Sequence, residues 1–401
     1  MRCLSRCQLD SETEMSIKRL VAEQIDWQVF VKAAENQAVL PLVYWHLKRI
    51  CWHMVPAEQQ SWLARIFIHN AGRNSALAAE LCSLVELFQS HQIQCLPFKG
   101  PIIAECVYKE LSFRTAGDLD LLVPQEFVGA AQILLKARGY KPCKWRGRTF
   151  DERFFQSAEL LDFCHEYAFY NEDKNVYVDL HWKVLSYQYF PLSNQDLQNN
   201  LKMWELQGAK ITSLNNELTL LMLCAHASKH AWSSLTWVTD VAEFLDAVPD
   251  INWQKLLNLA NQLRAERMLL LGLHLSTFLP GTKLPEPILL KIHSDAVVRS
   301  MAEEITSRFR SKPTASQWKE FKNWLYVLNL KEEFTEKFSL LTELCIKPTL
   351  DDLLSVKLPT SLFPLYRCIR PVNLLLEHVP RITIRFLKGG YDRHFNRLDE
   401  E

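Results

Sequence analysis

The chain of 401 residues is long enough to bury one large core or two to three ordinary ones. Its 46 basic side chains are balanced by 46 acidic ones, so no overall field draws it to nucleic acid or to a membrane surface. With 48% apolar and 23% charged residues it has an ordinary globular composition, and no run approaches the roughly 18 uninterrupted apolar residues of a membrane-spanning helix.

The first ten residues, Met1 to Asp10, lack the apolar stretch of a signal peptide. Cysteines are scattered from Cys3 to Cys368 without a Cys-x-x-Cys pair, and Cys3 and Cys7 have no second ligand pair at zinc-finger spacing. Cys82, Cys95, Cys106 and Cys224 fall in apolar runs and read as small buried hydrophobes. The expectation is a cytoplasmic protein with reduced thiols.

Residues 1–91 read as a helical N-terminal region. Apolar residues at three-to-four spacing run from Ile25 to Leu47, and Pro41 divides them into two helices. Pro56 opens a long helix over 57–91, with Gly72 inside it. Residues 92–212 change character. Gln92 to Phe98 reads as a strand ending at Lys99-Gly100, and Pro101 to Glu110 as a helix. Leu119 to Val123 is a second strand stopped by Pro124. Gln125 to Arg138 is an amphipathic helix ended by Gly139. Phe163 to Tyr170 and Val176 to Trp182 form two strands around the turn-rich 171–175.

Residues 213–358 return to helix, with Asn215 or Asn216 as the first cap. Expected helices cover 238–245, 253–275, 286–310, 315–330, 332–345 and 349–356. Residues 359–401 form a basic tail carrying Arg367, Arg370, Arg381, Arg385, Lys388, Arg393 and Arg397 against Glu377 and Asp392, with apolar residues interleaved. It reads as a terminal helix with a basic outer face, or as a weak contact with a membrane surface or nucleic acid. The fold class is α+β: a small mixed sheet flanked by helical regions on both sides.

The chemistry concentrates in the middle. Asp118 and Asp120 stand two apart at the start of an apolar strand, so their carboxylates share a face and repel unless a cation holds them. Hard oxygen ligands suit Mg²⁺, and a two-ion site serves phosphoryl or nucleotidyl transfer. Asp179, between apolar neighbours on a later strand, is the candidate third ligand or general base. Lys99 and Gly100, where strand meets helix, and the fork-shaped Arg114 are candidates for triphosphate oxygens. His181 shares the strand face of Asp179, and His165 lies on the preceding strand. His226 and His230 stand one helical turn apart. No Glu follows His226 as a His-Glu-x-x-His zinc site would require, so the pair reads with Trp237 and Asp240 as lining a substrate pocket over the sheet. Rossmann, P-loop and serine-hydrolase signatures are absent from the sequence.

Pro97-Phe98-Lys99-Gly100, the segment Arg114 to Val123 with Gly117-Asp118-Leu119-Asp120, and Val178-Asp179-Leu180-His181-Trp182 together resemble the polymerase-beta-like nucleotidyltransferase superfamily. Within it they are most similar to an uncharacterised bacterial group often called NTP_transf_5. The motifs cover about residues 90–185. Type IV toxin nucleotidyltransferases have a related Lys-Gly-Gly and Asp-x-Asp layout. The resemblance implies transfer of a nucleoside monophosphate from an NTP to a hydroxyl acceptor (small molecule, protein or RNA). Asp118, Asp120 and Asp179 would hold two Mg²⁺ ions, and Lys99, Gly100 and Arg114 would hold the NTP, ATP among the candidates. One departure stands out: Pro101 replaces the serine that grips the triphosphate in most of the superfamily. Two alternatives follow. One is a catalytically silent scaffold that binds a nucleotide or a protein, and the other is a toxin-like enzyme acting on tRNA.

Overall fold

The computed structural model describes residues 1–23, 25–144, 155, 157, 161–185, 191–310, 324–356 and 358–374. Arg381, Arg385, Lys388, Arg393 and Arg397 of the basic tail lie outside the described residues, as do the first residues of the helix expected over 315–330.

Capping side chains start the N-terminal helices. Asp10 accepts from the Thr13 N–H at 2.7 Å to open α1 (Ser11–Ala22), and Asp26 accepts from Val29 at 3.0 Å to open α2 (Trp27–Asn36). Helix α3 (Leu40–Ile50) takes Pro41 in its first turn; the chain breaks just before it, at Ala38, whose φ is +53°. Helix α4 (Ala57–Ser90) passes unbroken through Gly72, beside which there is open space. Its buried face, Leu63, Leu77, Leu81, Leu84 and Phe88, keeps the three-to-four spacing expected of it.

The main sheet has five strands: β1 (Leu96–Pro97), β2 (Leu119–Leu122), β3 (Lys141–Pro142), β4 (Glu166–Asn171) and β5 (Val176–His181). Their order is β1-β2-β5-β4-β3, with β2 and β5 parallel and every other pair antiparallel. The strands are shorter than the apolar runs expected to form them, most of all β1, which keeps only Leu96 and Pro97 of the run from Gln92 to Phe98. Helix α5 (Pro101–Cys106) also ends early, turning out at Lys109 with φ +62°. Helix α6 (Val128–Ala137) is followed by Gly139 at φ +86°, the left-handed residue expected after its end.

After the short α7 (Asn194–Gln198) comes a hairpin that the sequence reading did not separate out, β6 (Leu201–Leu206) and β7 (Ala209–Leu214). It turns on Gln207 and Gly208, both at positive φ. The Ser213 hydroxyl donates to the Pro97 carbonyl and ties the hairpin to β1.

The Asn215 side chain accepts from the Leu218 N–H at 3.0 Å and caps α8 (Asn216–Lys229). Helix α8 is buried nearly all round, as a central helix must be. It packs on α9 (Leu235–Ala247), α10 (Trp253–Gln262) and α11 (Glu266–Ser276). A Cβ at Gly272 of α11 would collide with Cys224 Sγ of α8, so only glycine permits this approach. The helix expected over 253–275 is two, broken at Arg264 with φ +50°. That over 286–310 is also two, α12 (Glu286–Ser294) and α13 (Ala296–Arg310), because Asp295 accepts from the N–H groups of Val297 and Val298 and restarts the helix. Helix α14 (Trp324–Asn329) follows.

The chain divides into two compact units, Met1–Ala158 with His165–Glu332, and Glu159–Cys164 with Glu333–Glu401. The second contains α15 (Phe334–Ile346) and α16 (Leu350–Ser355), the latter opened by a Thr349/Asp352 capping box. The architecture is α+β, a small mixed sheet with helical regions before and after it. No helix among the described residues is long and apolar enough to cross a membrane.

Candidate active site

The site is built where β2 and β5 run side by side. Their parallel register sets Asp120 directly beside Asp179 and Leu122 beside His181. Side chains two apart on a strand share a face, so Asp120, Asp179 and His181 converge; one ligand atom from each lies within 4.8 Å of the others. Asp118 precedes β2 by one residue. The register of β4 on β5 places Glu166 opposite His181. Leu119 and Leu121 fill the other face of β2 and are fully buried, which fixes the register and leaves Asp120 only 4% exposed.

A buried carboxylate needs partners. Asp120 Oδ1 has two: Lys99 Nζ at 2.5 Å and His181 Nε2 at 3.0 Å. Lys99 is set by the turn that leaves β1. Gly100 adopts φ +61°, and a Cβ on it would stand 3.0 Å from the Asp118 carbonyl oxygen. The Lys99-Gly100 turn therefore packs against the backbone of the first acid. Beside it, the Phe98 ring meets the His181 ring edge-on at 5.0 Å.

Helix α4 braces the loop that delivers Asp118. Asn70 donates to the Ser112 carbonyl at 2.9 Å, Asn74 to the carbonyls of Leu111 and Arg114, and Arg73 to the Gly117 carbonyl at 2.9 Å. The Arg114 side chain pairs two-pronged with Asp240 of α9, Nε to Oδ1 at 2.8 Å and Nη2 to Oδ2 at 2.9 Å. The Tyr108 hydroxyl donates to the same Oδ1 at 2.6 Å.

The electrostatics differ from acid to acid. Burial pushes the Asp118 carboxyl up, and the Asp120 charge adds to it. Burial followed by the charges of Asp118 and Asp120 raises Asp179 to about 7. Asp120 goes the other way: burial would raise it, but the Lys99 ammonium and the His181 hydrogen bond outweigh burial and hold it well below the usual carboxylate range. Burial also opposes ionisation of Glu166, yet His181, His165, Lys229 and Lys99 bring it down to about 2. Burial lowers His165 to about 3, so its neutral Nε2 can accept from Lys229 Nζ at 3.3 Å. Three mutually repelling carboxylates on one edge, two of them with raised pKa values, form a hard-oxygen donor set that a divalent cation would relieve.

Not every candidate residue joins this cluster. Lys99, Asp120, Asp179 and His181 lie together, and His165 is adjacent, its ring 6.4 Å from that of His181. Asp118 stands outside the group whose ligand atoms come within 4.8 Å of one another, though its charge helps raise Asp179. His226 and His230 pair on α8 with rings 4.8 Å apart, and His230 stacks on Trp237 at 5.2 Å. Burial and then the Lys99 charge lower His226 well below the ordinary histidine value. Asp240 stands apart from the carboxylates and serves Arg114.

The sequence reading gave no role to Glu166, Lys229, Tyr108 or the Asn70-Arg73-Asn74 group. Glu166 Oε2 lies 3.1 Å from His181 Nδ1, although out of line for a hydrogen bond, and Oε1 lies 3.9 Å from Lys229 Nζ. The available signal was Glu166 itself, a carboxylate in an otherwise apolar strand.

No curated protein matches the chain. A solved structure described as an antigenic nucleotidyltransferase-like protein from Paracoccidioides brasiliensis is similar at 16% identity and a TM-score of 0.32, over 54% of this chain and 96% of that one. The family model described as "Uncharacterised nucleotidyltransferase" matches residues 23–279, from the N-terminal helices past the end of α11, and the chain belongs to that family.

Proposed function

We propose that this protein transfers a nucleoside monophosphate from an NTP to a hydroxyl acceptor, with Mg²⁺ as cofactor. The observation that carries this is the in-register pair Asp120–Asp179, with Asp118 alongside and Lys99 bonded to Asp120. Asp118, Asp120 and Asp179 would hold the metal, Asp118 and Asp120 both ions and Asp179 one. Bound there, two Mg²⁺ ions would supply charge stabilisation for the attacking oxygen and the departing pyrophosphate.

The protein's own groups do the rest. Asp179, in register beside Asp120, would accept the acceptor's hydroxyl proton. The acceptor oxygen bonds to the α-phosphorus, the bond from that phosphorus to the bridging oxygen breaks, and pyrophosphate leaves with the electron pair. Lys99 offers a point charge to the polyphosphate. Arg114, fixed through Nε and Nη2, keeps Nη1 for the same task. His181, His165, His226 and His230 would line the acceptor side.

The test is incubation of pure protein with each labelled NTP, Mg²⁺ and cell extract. The expected result is a labelled product from the wild type and none from Asp118→Asn/Asp120→Asn. Undiminished transfer by the double variant would overturn the proposal. Pro101 favours a second reading, binding without transfer. It opens α5 without an N–H to offer to phosphate. ATP binding by calorimetry with no pyrophosphate release would establish that reading instead.

A further inference from the structure

Of the three clustered carboxylates, one is already neutralised. Asp120 Oδ1 takes both Lys99 Nζ at 2.5 Å and His181 Nε2 at 3.0 Å. The carboxylates of Asp118 and Asp179 have no hydrogen bond or ion pair among the described residues. The Lys99 side chain is only 14% exposed, and its ammonium lies 5.3 Å from the centre of the Phe98 ring. It occupies the space where a second cation on Oδ1 would have to sit. The turn that carries it runs so near the backbone of the first acid that a Cβ on Gly100 would stand 3.0 Å from the Asp118 carbonyl oxygen. The lysine side chain is the flexible part, and an ammonium withdrawn from Asp120 into so enclosed a place needs another anion.

From this geometry we infer that Lys99 is an internal counter-ion that keeps a divalent cation off Asp120 until a nucleotide polyphosphate draws the ammonium away. The inference rests on the nucleotidyl-transfer reading of the same site and adds an order to it. The polyphosphate is the one substrate group able to replace Asp120 as the partner of Lys99. As the ammonium swings onto phosphate oxygens, Asp120 regains its full charge and its affinity for a dication. Coupling of this kind is reciprocal, so the metal also releases Lys99 to the nucleotide. A site arranged this way binds free metal weakly and binds metal and nucleotide together more tightly than either alone.

The experiment uses the full-length protein and two binding measurements that need no turnover. Mn²⁺ affinity is measured by calorimetry without nucleotide, and affinity for a fluorescent ATP analogue (TNP-ATP) is measured in EDTA. Lys99→Met keeps the stem over Phe98 and removes the charge. It should bind Mn²⁺ at least tenfold more tightly than wild type and lose metal-free TNP-ATP binding. Lys99→Arg, which keeps the charge, should resemble wild type in both. Because Lys99→Met leaves Asp120 under-neutralised, Mn²⁺ should also raise its melting temperature more than that of wild type, which checks that the variant is folded. Equal or weaker Mn²⁺ binding by Lys99→Met, with the wild type binding both ligands, overturns this inference and leaves the nucleotidyl-transfer reading standing. A wild type that binds neither Mn²⁺ nor TNP-ATP overturns both.

Discussion

Two buried ion pairs flank the loop between α5 and β2, and they are built differently. Lys99–Asp120 is a single contact between a rotatable ammonium and a carboxylate in the cluster of acids. Arg114–Asp240 is a planar two-pronged pair, closed further by the Tyr108 hydroxyl, and it joins the loop to α9. A lysine on a flexible stem can exchange one anion for another, whereas a guanidinium bound through two nitrogens is held in place. Both cations carry the same charge and both were candidates for the triphosphate. Their surroundings divide the work: Arg114 braces the loop that presents Asp118, and Lys99 remains movable beside the acids.

The brace should be the costlier pair to break. Asp240→Ala strands the Arg114 guanidinium, 11% exposed, and leaves the Tyr108 hydroxyl without its acceptor. The expected loss is about 3–5 kcal/mol of folding stability, read as a fall in the urea midpoint. A loss below about 1 kcal/mol would show that the loop does not depend on this pair.

The brace also shows what could be read in the sequence and what could not. Asp118, Asp120 and Asp179 were legible because a strand's two-residue period puts acids of an apolar segment on one face, and the same period joined His181 to Asp179. The parallel pairing that sets Asp120 against Asp179 spans 59 positions of chain and leaves no local trace. The bond between Arg114 and Asp240 spans 126. Only folding decides such partners, which is why Arg114 was read for phosphate alone and Asp240 for the substrate pocket. Local misses have local causes. The β6–β7 turn at Gln207-Gly208 offered a hairpin signal, but the breaks at Arg264 and Asp295 carry neither glycine nor proline. The long α4 was legible in full, since the apolar spacing on either side of Gly72 keeps one buried face and outweighs a single glycine.

On the movable side, the turn beneath Lys99 is the next point of attack. Gly100→Ala puts a Cβ at φ +61° and 3.0 Å from the Asp118 carbonyl oxygen. About 2 kcal/mol of destabilisation is expected from the backbone alone. The displaced turn should also weaken TNP-ATP binding while Asp240 still holds Arg114. A variant as stable as wild type, with unchanged nucleotide affinity, would remove the turn from the account.

Acidity distinguishes the two sides without mutation. Asp179 is raised to about 7 by burial and by the charges of Asp118 and Asp120. Below that pH it carries a proton that a divalent cation must displace. Mn²⁺ affinity should therefore rise about tenfold from pH 6 to pH 8 and flatten above. The sign for folding is the reverse. The native state binds this proton more tightly than the unfolded chain does, so without metal its contribution to stability is lost as pH climbs from about 4 to about 7. Asp179→Asn should abolish both trends, whereas Asp240→Ala should leave the Mn²⁺ profile in place. An unchanged Mn²⁺ profile in Asp179→Asn would assign the titration to another group.

The smallest change separates bracing from binding most cleanly. Tyr108 is 3% exposed, and its hydroxyl donates to Asp240 Oδ1 at 2.6 Å. Tyr108→Phe removes that one donor and keeps the ring's packing. Asp240 still accepts two hydrogen bonds from Arg114, so the carboxylate is not orphaned and the cost should be only about 1 kcal/mol. If Arg114 is a brace, Tyr108→Phe lowers the urea midpoint slightly and leaves both Mn²⁺ and TNP-ATP affinities at their wild-type values. If TNP-ATP affinity rises instead, the hydroxyl had been helping Asp240 hold Arg114 back from the nucleotide. The two ion pairs would then differ in strength of restraint and not in kind.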